Sequence, residues 1–321
     1  MTTPSSDVNG DTGRGDHLEL ARLARHISRA LEPFVGCVYF APECHKAYVA
    51  LGFDPSGRSV NGVAMPDGVA YFTSRGSLMG QVHGNLVASA FAVFNPAVVV
   101  PAVARGWEIT DASTIRAARE HATGMFLHRA LDETNISLPD LARVTAALSR
   151  AVHSIPIEGR PLFAGALSGI AADTVPTPDP LLYAWFLGDC FREARGDSHT
   201  AAWVANGLDA VEIGLLTEAF WGLPFKSYVR TRAWSTEQLD AGIDRLSRRG
   251  LVSANAITSS GRALRESIEL QTDLQMVNAI VAMGADAEPV CHLLQTWSES
   301  VRAAHGYPLA GPQDLAATQT S

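Results

Sequence analysis

Apolar positions recur at helical spacing along most of the chain. In residues 17–31, HLELARLARHISRAL, Leu20, Leu23, Ala24, Ile27 and Leu31 share one face, and Pro33 is expected to end the helix. Residues 77–94, SLMGQVHGNLVASAFAVF, carry Leu78, Val82, Leu86 and Phe94 on several faces, which predicts one buried helix stopping at Asn95-Pro96. Residues 114–134 and 138–155 predict two amphipathic helices. Their charged positions, Arg116, Arg119, Glu120, Arg129, Arg143 and Arg150, are expected on solvated faces. A Pro- and Asp-rich connector, AADTVPTPDP, then leads to a helix over LLYAWFLGDCFREAR, the segment RGDSH at 195–199, and a long helix from about Ser198 to Phe220.

The texture changes beyond Phe220. PFKSYVRTR predicts a short helix. TEQLDAGIDRLSRRGLV predicts a longer one, with Ser235 as its N-cap and Gly250 as its stop. LVSANAIT predicts a small hairpin turning near Ala254-Asn255, and a further helix starts at SGRAL. Helix, short helix, helix, hairpin and helix in that order is the sequence of a winged helix-turn-helix. The expected fold is therefore mainly α, with an N-terminal helical domain and a C-terminal winged helix-turn-helix carrying a short β-hairpin wing. The expected divisions are an unstructured stretch 1–16, a helical domain 17–172, a linker 173–180, a winged-helix domain 181–303 and a flexible tail 304–321.

Composition narrows the function classes. The 321 residues are 47% hydrophobic and 18% charged, which is enough apolar material for a large core. A net charge of −8 gives no global attraction to nucleic acid or to an anionic membrane. No apolar run reaches membrane-spanning length and the N-terminus lacks the pattern of a signal peptide, so a cytoplasmic protein is expected. Four cysteines, Cys37, Cys44, Cys190 and Cys291, form no CxxC pair and read as reduced buried thiols.

Residues 235–272, with RGLV at the strand entry and T..G.AL...IE..TD after the wing, resemble a MarR-like winged helix. Nearly the whole chain resembles a mostly uncharacterised actinobacterial helix-turn-helix family. The matching pieces are YFAPE (39–43), YFTSRGSLMG (71–80), Phe94 and Pro96, Trp107, GRPLFA (159–164), RGDSH, GLDAVE (207–212) and RAWS (232–235). That resemblance implies an α-rich domain joined to a winged helix, often in a homodimer, and implies no particular substrate. Cys44-His45 and His83 depart from the family pattern, which carries small or non-histidine residues there.

The predicted recognition helix is poorly suited to DNA. With Leu239, Ile243 and Leu246 turned inward, Glu237, Gln238, Asp240, Ala241 and Asp244 face outward, and three of these five are carboxylates that phosphates repel. The wing has no Lys or Arg. The nearby cations, Lys226, Arg230, Arg232, Arg245, Arg248 and Arg249, lie before the helix or at its far end.

The chemistry is expected elsewhere. RGDSH is read as a helix–helix junction, with Gly196 left-handed and Asp197 or Ser198 as a cap. His199 near a helix N-terminus would then be neutral, with Asp197 as its orienter, which suits proton abstraction or carbonyl polarisation. Glu212, flanked by apolar residues, would have a raised pKa if buried unpaired. Arg75 and Arg160, in apolar and glycine-rich surroundings, would bind an anionic or carbonyl substrate or pair with Glu43 or Glu212, and Trp107 and Trp203 would wall the pocket. Glu43, His45 and His83 form a two-His-one-carboxylate set for a divalent metal, or supply one His to haem iron.

The preferred function is a winged-helix scaffold turned to small-molecule binding or acid/base catalysis on a polar or carbonyl metabolite, in specialised metabolism. It would be a homodimer, require no cofactor, bind no membrane and have weak or lost DNA binding. The alternatives are a MarR-type ligand-responsive regulator and a haem or metal protein.

Overall fold

The computed structural model describes residues 9–131, 136–171, 179–254 and 256–308. The expected turn at Asn255, most of the 173–180 linker and residues 1–8 and 309–321 of the expected termini fall outside these. Helix α1 (Asn9–Gly36) is followed by α2 (Pro42–Ala50), the hairpin β1–β2 (Ser59–Val60 and Val63–Ala64), α3 (Gly68–Gly76), α4 (Gly84–Phe91), α5 (Pro96–Ile109) and α6 (Ala112–Leu131). Then come α7 (Leu138–His153), α8 (Pro161–Ala171), α9 (Pro180–Ala205), α10 (Ala210–Phe220) and α11 (Thr236–Arg248). The described chain closes with the hairpin β3–β4 (Val252–Ser253 and Ala256–Ile257), α12 (Ser259–Leu274), α13 (Val277–Met283) and α14 (Ala287–Ala303). The molecule is mainly helical, and both hairpins are antiparallel two-stranded sheets.

Several helix limits differ from the sequence expectation, each for a local reason. Helix α1 starts at Asn9, inside the stretch expected to be unstructured, and runs through Pro33. A hydroxyl from α14 makes that passage workable. Phe34 N donates to Ser298 Oγ at 3.2 Å and Ser298 Oγ donates to Ala30 O at 2.5 Å, so the side chain bridges a backbone bond that Pro33 disturbs. Residues 77–94 do not form one buried helix. Gly80 turns left-handed at φ +83°, and α4 begins only at Gly84. The short helix expected at PFKSYVRTR is a single 3-10 turn, Val229–Arg232. The β1–β2 hairpin was not expected, although its turn, Asn61-Gly62 at φ +50° and +80°, is the favoured dipeptide for such hairpins.

The largest revision concerns RGDSH. Helix α9 passes straight through it, so Gly196 is not a stop and residues 198–220 are not one helix. The buried positions Leu187, Cys190, Phe191, Ala194, Ser198 and Ala202 form an unbroken stripe at helical spacing, and burial of that stripe overrides the local glycine signal. The real break lies at Gly207 (φ +66°), after which Asp209 and Glu212 form a reciprocal capping box for α10. Gly196 is exposed, has no left-handed φ, and a Cβ there would meet only Glu193 Oε2 at 3.9 Å. Gly196→Ala is therefore expected to raise stability by about 0.5–1 kcal/mol in urea denaturation. A loss of stability would mean that the chain does break there.

The core does not divide at the connector. One buried cluster joins Ile27 and Phe34 of α1, Phe126 of α6, Leu148 of α7, Trp185 and Phe191 of α9, Ile280 of α13 and Trp297 of α14. A second holds α10, α11, the β3–β4 hairpin and α12 through Trp203, Leu215, Leu216, Leu239, Leu246 and Ile268. A third packs α3, α4 and α5 around Phe72, Phe91 and Val103. Helix α9 thus serves both the body and the α10–α12 unit, and α13–α14 return to the body. Tyr307, inside the expected flexible tail, is buried with its hydroxyl 3.3 Å from Glu32 Oε1.

Candidate functional site

Within one continuous helix, Asp197 and His199 point to different neighbours. Asp197 Oδ2 accepts from Phe163 N at 3.0 Å and so caps α8 rather than its own helix. Burial pushes its carboxyl up to about 7, against the hydrogen bonds from Phe163 and Leu162 and the Arg75 charge that favour ionisation. His199 Nδ1 lies 3.1 Å from Thr272 Oγ1 on α12. Burial, with Arg265 adding repulsion, drops its pKa to about 3, so the ring is neutral across the physiological range. The neutrality matches expectation, but its cause is burial and not a helix terminus. Asp197 does not orient His199.

The other expected site residues have structural partners. Arg75 forms a two-pronged pair with Glu193, Nε–Oε1 2.9 Å and Nη2–Oε2 2.6 Å, rather than pairing with Glu43 or Glu212. Arg160 donates to Ser198 Oγ at 3.3 Å and to Pro156 O at 3.0 Å. Glu212 is not unpaired: Oε2 accepts from Asp209 N at 2.9 Å and Oε1 lies 3.3 Å from Arg245 Nε. Trp107 donates to Val82 O at 2.9 Å, and Trp203 is buried in the α10–α12 core.

Glu43, His45 and His83 are held on separate duties. Glu43 pairs with Arg129 of α6 at 2.7 Å. His45 is half-buried on α2. His83 is exposed rather than buried mid-helix, and its Nδ1 caps α4 by accepting from Asn85 N at 3.1 Å. Among the described residues no three His, Cys, Asp or Glu side chains gather where they could hold a metal ion.

Residues that the sequence did not bring together form a continuous seam between the body and the α10–α11 segment. At its centre Glu193, fully buried, takes Arg75 on one side and Arg192 Nη1 at 3.0 Å on the other. Burial alone would raise the Glu193 pKa, but the two guanidinium groups hold it well below the usual carboxylate range. Arg192 continues to Glu32 at 3.0 Å, and Arg119, expected on a solvated face, is fully buried against Asp189 at 2.7 Å. Tyr39 lies between the guanidinium groups of Arg119 and Arg192, 5.7 and 5.4 Å from its ring centre.

Aromatic rings carry the seam outward. Tyr71 meets Tyr39 at 5.0 Å and Phe94 at 5.7 Å between ring centres. Arg232 covers both Phe94 and Tyr228 at 4.7 Å, and Tyr228 meets Trp221 at 6.3 Å. Tyr71, Trp221, Tyr228 and Arg232 are half-buried, and Arg75 and Arg192 are mostly buried, with side chains 11% and 19% exposed. The sequence signals were present but dispersed. YFTSRGS supplies Tyr71 and Arg75, FREAR supplies Arg192 and Glu193, and RAWS supplies Arg232.

Helix α11 turns its acids outward. Glu237, Asp240 and Asp244 are exposed while Leu239 and Leu246 are buried. A cleft of about 680 Å³ beside the helix is lined by Asp240, Asp244, Lys226, Phe225, Pro224 and Ile243, and Lys226 is already paired with Asp240. Arg245 pairs with Asp209 at 2.6 Å, and Arg249 donates to the carbonyls of Gly207 and Asn206. The N-terminal end of α11, where a reading helix meets bases, is tied to the α4–α5 loop. Asn95 Nδ2 donates to Ala233 O at 3.0 Å and to Gln238 Oε1 at 3.3 Å, and Trp234 Nε1 donates to Val93 O at 2.9 Å.

All four cysteines are free and buried, and among the described residues no helix is long and apolar enough to cross a membrane. No curated protein and no solved structure matches the chain. A helix-turn-helix family matches it from residue 24 to residue 308. That span takes in the body, the α10–α12 unit and the returning α13–α14 pair together, and the chain belongs to this helix-turn-helix family.

Proposed function

We propose that this protein uses a winged, MarR-like helix-turn-helix as one wall of a small-molecule site and does not read DNA. The observation that carries this reading is the run of rings and guanidinium groups from the half-buried Trp221 through Tyr228, Arg232 and the buried Phe94 to Tyr71 and Arg75. Aromatic walls with a few fixed polar groups, at the meeting of two structural units, are the usual make-up of metabolite sites. The acidic outer face of α11 and the tied-down start of that helix support the loss of DNA reading. The acid/base role first given to His199 passes to Asp197, whose pKa near 7 and position one turn from Glu193 favour it.

The test uses 2-naphthol as a neutral planar probe, followed by thermal shift and by quenching of intrinsic fluorescence. Tyr71→Ala, assayed at a temperature at which circular dichroism shows the variant folded, is expected to weaken binding at least tenfold even though its loss from the ring cluster lowers the melting temperature. A gel-shift assay at low salt is expected to show no retention of DNA from the protein's own promoter region. Salt-dependent retention abolished by Arg248→Ala with Arg249→Ala would overturn the reading and restore a ligand-responsive regulator.

A further inference from the structure

Most partly or fully buried arginines of the body and of α12 have a carboxylate. Arg25 has Asp273, Arg75 has Glu193, Arg116 has Glu120, Arg119 has Asp189, Arg192 has Glu32, Arg195 has Glu269 and Asp273, and Arg265 has Glu269. This is the expected outcome, because a guanidinium withdrawn from water needs an anion or a full set of acceptors.

Arg232 departs from that pattern. It is half-exposed, and among the described residues no carboxylate lies within ion-pair distance of it. Its guanidinium carbon lies 4.7 Å from the centres of both the Phe94 and Tyr228 rings, and Nη2 donates to the Tyr228 hydroxyl. Ring contact is made at the guanidinium carbon, and with one Nη2 hydrogen given to the Tyr228 hydroxyl one in-plane pair of N–H groups remains, the arrangement that binds a carboxylate in two-pronged fashion.

The group is also held in place from the backbone. Asn95 N donates to Arg232 O at 2.9 Å, and Asn95 Nδ2 donates to the next carbonyl, Ala233 O. Ala233 itself turns left-handed at φ +62° and closes the 3-10 turn that carries Arg232. A guanidinium fixed between two rings loses little further freedom when it takes a ligand, which favours affinity.

We infer that the ligand of the seam is a planar conjugated acid, whose carboxylate or similarly delocalised anion meets the edge of Arg232 while its ring lies along Tyr228 and Trp221. This rests on the small-molecule reading above and adds the charge and shape of the ligand to it. It also moves the anion-binding role from Arg75 and Arg160, whose donors are engaged within the protein, to a residue whose donors are largely free.

The experiment compares 2-naphthoate with 2-naphthamide, matched in shape and different in charge, by isothermal titration of the full chain at low salt. The acid is expected to bind at least tenfold more tightly than the amide. Arg232→Gln is expected to erase that preference, the acid and the amide then binding the variant with affinities within about twofold of each other. Arg232→Lys is expected to keep part of it, since an ammonium supplies charge without the flat stacked fork. Equal affinities in the parent protein, or a preference that survives Arg232→Gln, overturn the inference. In that case amide binding lost in Tyr71→Ala would leave the small-molecule reading standing. Binding of neither compound, or binding indifferent to Tyr71→Ala, would overturn both.

Discussion

Replacing Glu193 with alanine is expected to destabilise the fold by about 3–5 kcal/mol, the usual cost of leaving a buried charge without its partner. Glu193 is fully buried and engages Arg75 through both carboxylate oxygens and Arg192 through one. Its removal strands the Arg75 guanidinium in the low-dielectric heart of the seam and leaves Arg192 with Glu32 alone. The loss is therefore more than one hydrogen bond's worth. Urea denaturation measures it directly. Glu193→Gln with Arg75→Met should recover much of the loss, because neutral replacements for both partners avoid the uncompensated charge. A cost below about 1 kcal/mol for Glu193→Ala would mean that water reaches these groups and that the seam is not held by this carboxylate.

The second large effect is in pH dependence. Asp197 is 4% exposed and its pKa rises from an ordinary 3.8 to about 7 on folding. Between those values the folded chain holds a proton that the unfolded chain has released. Stability from this group is therefore fully present below about pH 4 and is lost as pH rises through about 7. A shift of that size corresponds to something on the order of 4 kcal/mol. Asp197→Asn keeps an oxygen acceptor for Phe163 N but cannot ionise. The variant is expected to match the parent near pH 4 and exceed it in stability at pH 8, by up to that amount. His199, held near 3, contributes with the opposite sign between about pH 3 and 6.5, and it cancels when parent and variant are compared. Parallel stability profiles for the two proteins would show that Asp197 is not held protonated.

The α10–α12 unit was the most legible part of the sequence because its signals are local. Ser235 and Gln238 form the expected capped start of α11, Gly250 stops it at φ +68°, and the acids predicted to face outward do so. RGDSH was misread because Gly196 and Asp197 look like punctuation, whereas a stripe of buried side chains decides the conformation. Arg119 was misread for the complementary reason. An arginine on an amphipathic helix normally faces water, and only the arrival of Asp189 from α9 gives it cause to turn inward. The seam draws on α1, α3, α6, α9 and the Tyr228–Arg232 turn. No short window of sequence contains enough of it to show a pattern. Individual pieces such as YFTSRGS and RAWS could be seen as unusual, but not as neighbours.

The return of α13 and α14 to the body has a consequence for how the protein is made. The apolar side of α1, made before every other described helix, packs against α14, made after all of them. The α10–α12 unit has a compact core of its own in between. During synthesis the body is still missing a wall once α12 has been made, and Phe34 lacks its ring partner until Trp297 emerges. Contacts between such distant parts of the chain slow folding. A polypeptide cut short after α12 would lack the Trp297 ring and the Ser298 hydroxyl that α1 packs against, so premature termination should yield a chain that binds chaperones rather than a partly active protein.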